Sequence, residues 1–298
     1  MPLFKFYLWY YLDMVGTVVL LSAVFFLLET FAPAEKGQPL SKRLFNLVYY
    51  PLYLASVLFV SFLMQPAFSQ LLQVTRGGVL PRVMSAPRGF VANLLFALIF
   101  VFVWDVWQYC VHRLQHTLPL LWETHKFHHS ETALNSSTQA RHHLTNALLF
   151  MVLHSPLLVI FGTLSPHAIA AFLMSRLWGF VNHANLRLHL GPLTPVVAGP
   201  QWHRIHHSIH GEHRDKNFAA FFPFIDIVFG TYYKPQREEY PATGLAGAEP
   251  AGAGDVREAT TEPILGIYRL ARRRIGVASV LANLTERETV PVESGRVP

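Results

Sequence analysis

Apolar residues in this chain come in long unbroken stretches instead of the one-sided or alternating patterns of a soluble domain. Three of them, Phe6 to Phe31, Leu44 to Phe68 and Phe90 to Val111, precede most of the polar sequence. At about 1.5 Å per residue each is long enough to cross a hydrocarbon core about 30 Å thick. The first contains Asp13 and ends in Glu29, and no basic leader with a small-residue cleavage site accompanies it, so it reads as a retained segment and not as a signal peptide. A fourth block, Leu144 to Val181, is interrupted by Gly162-Thr163-Leu164-Ser165-Pro166. A turn there predicts a helical hairpin whose two ends emerge on the same side, bringing His183 back to the polar sequence that precedes the block.

Composition agrees. The 298 residues are 52 % hydrophobic and 14 % charged, too apolar for an ordinary soluble protein of this size. The fold class is therefore all-α and integral to a membrane, a helical stem below a polar cap. The single cysteine, Cys110, excludes an internal disulfide framework and any cysteine-rich metal site. A net charge of +6 could suggest nucleic acid, but no nucleic-acid motif accompanies it, and in a membrane chain it marks the anionic cytoplasmic leaflet. Arg113, Lys126, Arg141, Arg187, Arg204 and Arg214 lie in the cap sequence, which places the cap in the cytoplasm. With three spans before the cap, Arg76, Arg82 and Arg88 fall on the opposite side, so either an early segment is re-entrant or interfacial or the charge rule is locally violated. The domain expectation is N-terminal membrane helices over 1–89, a functional domain over 90–233 with the hairpin at 144–182, and a linker and tail over 234–298. The linker is the Ala-, Gly- and Pro-rich Pro241 to Asp255. Tyr268 to Arg274, with Ile264, Leu265, Ile267 and Leu270 nearby, is either an amphipathic helix on the membrane or a solvated tail.

The candidate chemistry is in the histidines. Eight of the 16 fall in three clusters, His112-x-x-x-His116, His125-x-x-His128-His129 and His203-x-x-His206-His207. One H-x-x-H-H arises by chance about 0.05 times in a chain of this composition, so two copies point to selected geometry. On a helix, residues three and four apart share a face, so each cluster can converge on a point. Imidazole suits iron, zinc, copper or nickel, and eight or nine ligands are too many for one ion, so two metals in one pocket is the natural count.

Several strings together resemble the fatty acid hydroxylase/sterol desaturase superfamily: DVWQYCVHRLQH from Asp105, LWETHKFHHS from Leu121, NSSTQARHH from Asn135, NHANL from Asn182, PQWHRIHHS from Pro200, DKNF from Asp215 and FPFIDIVFGTYY from Phe222. The likeness covers about residues 90 to 233. It implies a membrane non-haem di-iron oxygenase that spends molecular oxygen and two electrons on a lipid carbon-hydrogen bond, with His112, His116, His125, His128, His129, His183, His203, His206 and His207 as ligands. Zinc can replace iron in vitro. His143 stands where the family often has a histidine followed by Pro, here Leu144, with Asn146 where Glu is frequent. It is thus either a further ligand or a residue behind the ligands or beside the substrate. Ala219 and Ile225 replace a common Gly and Trp.

Metal-bound histidines usually donate their other N–H to an acceptor, and Asp105, Asp215 and Asp226 are assigned that orienting role. For Asp105, seven residues before His112, capping the apolar span is the alternative. Trp104, Trp107, Tyr109, Trp122 and Trp202 read as an interfacial belt, some of them also as lining for a lipid channel. His154 and His167 read as structural or interfacial, and His189, His210 and His213 are left out of the ligand set. A metal transporter would place its ligands near the bilayer midplane, and a zinc hydrolase would want a carboxylate inside the motif, so both are weaker readings. Hydroxylation and desaturation share the first hydrogen abstraction, and the sequence does not separate them. The substrate class spans sterol-like, fatty acyl, carotenoid and ether lipids. No dinucleotide, haem or ferredoxin motif is present, which implies an external electron donor, a reductase with a cytochrome or ferredoxin.

Overall fold

Each apolar stretch becomes a helix. In a computed structural model, which describes residues 3–75, 89–161, 166–245 and 259–272, α1 covers Leu3–Phe31, α2 Leu40–Val74 and α3 Phe90–Thr117. All three are long and apolar enough to cross a membrane. Arg76, Arg82, Arg88, the turn residues 162–165 and linker residues 246–258 lie outside the described residues. The predicted hairpin corresponds to α5 (Asn146–Phe161) and α6 (Pro166–His183), which pack on α2 and α3 respectively. Both outer ends of this pair reach the cap: the Asn146 side-chain carbonyl accepts from Gln115 at 3.1 Å, and His183 enters the histidine clusters.

The cap is built from short pieces with defined starts. α3 ends at Thr117 because Leu118 precedes a proline, which disfavours helical backbone there, and Pro119 then opens α4 (Pro119–His129) at a position where its missing N–H costs nothing. The resulting corner packs α4 on α3 and turns the His125 cluster toward His112 and His116. Pro200 opens α7 (Pro200–His206) in the same way. A 3-10 turn over Ser136–Ala140 is set by Asn135 and Thr138, each side chain taking the other's backbone N–H or its neighbour's. The last element of the cap is α8 (Phe224–Phe229), closed by Gly230 at φ +74°.

The first two helices are part of the cap and not a separable domain. Glu29, at the end of α1, is buried, pairs with Arg43 of α2, and accepts the backbone N–H of Ser136 at 2.9 Å and of Asn185 at 2.8 Å. Asn46 of α2, wholly buried, donates to Glu131 and Ser137 at 3.2 Å each. A buried carboxylate needs such partners to offset lost hydration. These contacts cross the expected boundary at residue 89 and tie the ends of α1 and α2 to the cap.

After the linker, a helix over 262–272 returns to the body. Tyr49 donates to the carbonyl of Ala259 at 2.9 Å, His143 to that of Thr260 at 3.0 Å, and Gly266 lies so close to Glu123 of α4 that any Cβ there would overlap the carboxylate. Of the two expectations for this segment, a helix is found, and it is docked on the cap.

Candidate metal centre

Nine histidines meet in the cap as two adjoining groups. His112 and His116 of α3, His125 and His129 of α4 and His206 of α7 form one; His128, His183, His203 and His207 form the other. Within each group the ligand atoms lie within 4.8 Å of one another. The groups share a wall in which His129 stacks on His207, with centroids 4.2 Å apart. Each H-x-x-H-H therefore serves both groups, because on one helical turn the third and fourth residues point to either side of the first.

Hydrogen bonds fix which nitrogen faces inward. His112 donates from Nδ1 to the carbonyl of Phe218 at 2.9 Å, His206 to that of Lys216 at 2.8 Å, His128 to that of Arg141 at 3.2 Å, and His183 to that of Gly179 at 2.7 Å. A neutral ring that donates from Nδ1 carries a bare lone pair on Nε2. Yet Nε2 of His183 lies 3.0 Å from Nε2 of His128. Two lone pairs at that distance repel, and neither ring readily takes a proton: burial and then the neighbouring imidazoles hold His128 well below the ordinary histidine range. His125, His129, His203, His206 and His207 are depressed by the same causes, burial first. Nε2 of His206 and both ring nitrogens of His207 are buried without a hydrogen-bond partner among the described residues. A set of neutral imidazoles with converging unpartnered lone pairs is a fit for metal cations, and each group could hold one.

The carboxylates behave differently from one another. Asp215 lies 3.4 Å from Nδ1 of His116, and that contact, ahead of the others, holds it below the usual carboxylate range. Its backbone is in the left-handed region at φ +57°, a conformation non-glycine residues adopt at a cost of about 1–3 kcal/mol and keep where the surroundings enforce it. Asp105 and Asp226 touch no ligand ring. Asp105 accepts the backbone N–H groups of Ala220, Phe221 and Phe222 at 2.7, 3.0 and 2.7 Å. Asp226 takes those of Phe218 and Ala219 at 2.8 and 2.9 Å, and the Thr231 hydroxyl at 2.7 Å. The direct orienting role expected of these two is thus corrected. They clamp the 218–222 backbone, and the Phe218 carbonyl in that segment is what orients His112.

His143 lies outside both groups, with Nδ1 toward Thr145 at 2.6 Å and Nε2 given to Thr260, so the possibility that it is a ligand is also corrected. Its neighbour His142 went unnoticed in the sequence. Half-buried and pushed down to about 3, desolvation being the largest cause, it stacks on His128 with rings 4.9 Å and 11° apart. The signal was adjacency to His143 within a motif whose better-known histidine drew the attention. His154 bonds to Phe150 and Gln108. His189 and His213 bond to Gln201, Ser208 and Glu239 and, like His210, stand apart from the groups. The His167 side chain lies outside the described residues. Trp122 packs against His116 and His129, whereas Trp202 is wholly buried in the cap core with Tyr109, Phe218 and Ile225.

Residues 97–231 match the model of the family described as fatty acid hydroxylase. Over that stretch the chain is similar to the fatty acid hydroxylase family. All nine clustered histidines fall inside the matched residues. Among curated relatives, an alkylglycerol monooxygenase of Danio rerio is 33 % identical over 129 residues, 43 % of this chain and 28 % of the relative. An ornithine lipid hydroxylase of Rhizobium tropici is 28 % identical over 139 residues, 47 % of this chain and 42 % of the relative. A very-long-chain aldehyde decarbonylase of Oryza sativa is 28 % identical over 188 residues, 59 % of this chain and 28 % of the relative. The chain thus covers less than half the length of each of these relatives. No solved structure matches it.

Proposed function

We propose that this chain is a membrane-bound oxygenase that hydroxylates a carbon-hydrogen bond of a lipid, with two iron ions held by the nine clustered histidines. The facing Nε2 lone pairs of His128 and His183, each ring tied through Nδ1 to a backbone carbonyl, carry the reading, because only a cation relieves them. Two of the relatives are named for adding oxygen to a lipid, which favours hydroxylation over desaturation. The cap faces the cytoplasm, the chain crosses the membrane several times, and a separate donor protein supplies the electrons.

Iron bound in the two groups would supply oxygen activation strong enough to attack an unactivated carbon-hydrogen bond. The chain's own residues prepare the place. Carbonyls of Phe218, Lys216, Arg141 and Gly179 lock four rings in the metal-ready tautomer, and Asp215 stands beside Nδ1 of His116 as an acceptor for its proton. Burial of His125, His128, His129, His183, His203, His206 and His207 excludes bulk water, which protects reactive species from side reactions. The apolar spans beneath deliver a substrate that is itself a bilayer component.

The test is to incubate membranes containing the protein with ferrous iron, a reductant system and 18-O oxygen, and to compare lipid extracts with those from membranes without it. A lipid product carrying one labelled oxygen is expected, and His183→Ala should abolish it while the protein stays membrane-inserted, because apolar spans and not metals drive insertion. Product formation without oxygen, or full activity in the His183 variant, would overturn the assignment.

A further inference from the structure

Helix α8 has two unlike faces. Ile225 and Asp226 point into the cap and are buried, whereas Phe224, Ile227, Val228 and Phe229 are exposed, Val228 to 75 %. Its height on the molecule is set by α3. Phe224 stacks on Phe102 with centroids 6.0 Å and planes 18° apart, and Phe222 lies 6.2 Å from the same ring. Phe102 is ten residues before His112 in α3. At about 1.5 Å per residue, the start of α8 therefore sits about 15 Å below His112 along a helix that reads as a membrane span, while its end rises again to Tyr109, on which Phe229 stacks with centroids 4.9 Å apart. Phe102 also ends an exposed row of Val91, Leu95 and Leu98, spaced four, three and four residues apart on one face of α3. The outer face of α8 continues that row sideways.

Backbone chemistry points the same way. A segment can enter hydrocarbon only if its N–H and C=O groups are satisfied within the protein. In the approach to α8, five consecutive N–H groups, from Phe218 to Phe222, are taken by the carboxylates of Asp226 and Asp105, and the next residue, Pro223, has none. Two buried carboxylates on one short strand of backbone are costly for a loop that could bond to water instead. They make sense for a loop that has no water.

We infer that α8 is a re-entrant wedge immersed in the acyl chains of the bilayer, descending from the cap along α3. The inference rests on the reading of α3 as a membrane span. It gives the clamp of Asp105 and Asp226 a second function beside holding the Phe218 carbonyl toward His112, and it makes acyl chains the occupant of the face formed by Phe224, Ile227 and Val228.

The experiment uses the full chain with Cys110, its free exposed cysteine, changed to Ser. Nitroxide labels at Val228→Cys, at Leu98→Cys on the α3 row and at Glu238→Cys on the cap surface are compared in phosphatidylcholine vesicles. Collision with oxygen, which concentrates in lipid, is measured against collision with a water-soluble nickel chelate. Val228 should behave as Leu98 does, with oxygen collisions dominant, while Glu238 shows the reverse. If Leu98 is in lipid but Val228 is in water, the wedge is refuted and the membrane reading of α3 survives. If Leu98 is itself in water, that reading fails first and the wedge with it. Spin–spin broadening at Val228 that disappears on dilution with unlabelled protein would assign the face to a second copy of the chain, and also refute the wedge.

Discussion

At the scale of single residues, the ligand geometry and the carboxylate clamp separate two kinds of damage. Replacing His128 removes one of the four rings of its group, so His128→Ala should lower bound metal from about two ions per chain toward about one, read by elemental analysis of protein purified without chelators. His143 lies outside both groups, so His143→Ala should leave the count unchanged. An equal loss in both variants would refute the division of the histidines. Asp105→Asn tests the clamp. An amide oxygen can serve only part of what the carboxylate serves, and at least one N–H among 220–222 would face an NH2 group, at a cost of about 1–3 kcal/mol. A lowered unfolding temperature with metal content preserved at saturating iron is expected; loss of one metal without loss of stability would return Asp105 to the direct role that its spacing suggested. Six of the nine clustered histidines stand out because repeated H-x-x-H-H spacing is improbable without a geometric cause, His112 and His116 lie one helical turn apart, and His183 is marked as a ligand only by the family resemblance. Glu29, Asn46, His142 and the true partners of Asp105 do not stand out. Their contacts span up to 156 residues and leave no local pattern, Glu29 to Asn185 being the longest.

At the scale of elements, the histidine that left the metal site became a clasp for the C-terminal helix. Nε2–H of His143 is given to the Thr260 carbonyl, so the neutral ring presents a lone pair at Nδ1, which accepts the backbone N–H of Thr145 at 3.2 Å. A proton on Nδ1 could be given only to the Thr145 hydroxyl, 2.6 Å away, and would leave the Thr145 N–H facing it without an acceptor. Burial, ahead of the opposing bond to Thr260, holds the docked ring below the ordinary histidine value of about 6.5. The sign follows: above about 6.5 the ring is neutral docked or free, and docking is at full strength. As pH falls from there toward the docked ring's lower value, the undocked state binds a proton that the docked state refuses, and docking weakens. Hydrogen exchange of amides in 262–272, corrected for intrinsic rates, should show greater protection at about pH 7.5 than at about pH 5.5. His143→Gln should remove the difference, and a difference that persists would place the titrating group elsewhere. Gly266→Leu should weaken the docking at either pH, because its side chain has to displace the Glu123 carboxylate from Lys126. From sequence the segment could be read either as a helix or as a solvated tail, because its amphipathic pattern is short; what settles it is a glycine and two carbonyls, none of which carries a hydropathy signal.

At the scale of the whole molecule, the direction of each long helix fixes which ends share a side. Glu29 at the end of α1 and Arg43 near the start of α2 are paired in the cap. α2 then runs away from it, and α3 starts at the far end, where Phe96 and Phe100 pack on Leu157 and Phe161, before returning to the cap at His112. The start of α1 and the end of α2 are therefore remote from the histidines, and the proposed three-span topology puts them across the membrane from the cap. α2 is longer than a crossing requires: its 35 residues span about 52 Å at 1.5 Å per residue, against a core of about 30 Å. On a spanning reading, the surplus lets its last turns extend beyond the hydrocarbon. Epitope tags ahead of Leu3 and at Glu238, read by protease protection in sealed vesicles of known orientation, should report opposite sides, with the Glu238 tag cytoplasmic. Tags on the same side would mean that one of the three helices does not cross, and the re-entrant alternative for an early segment would replace the three-span stem.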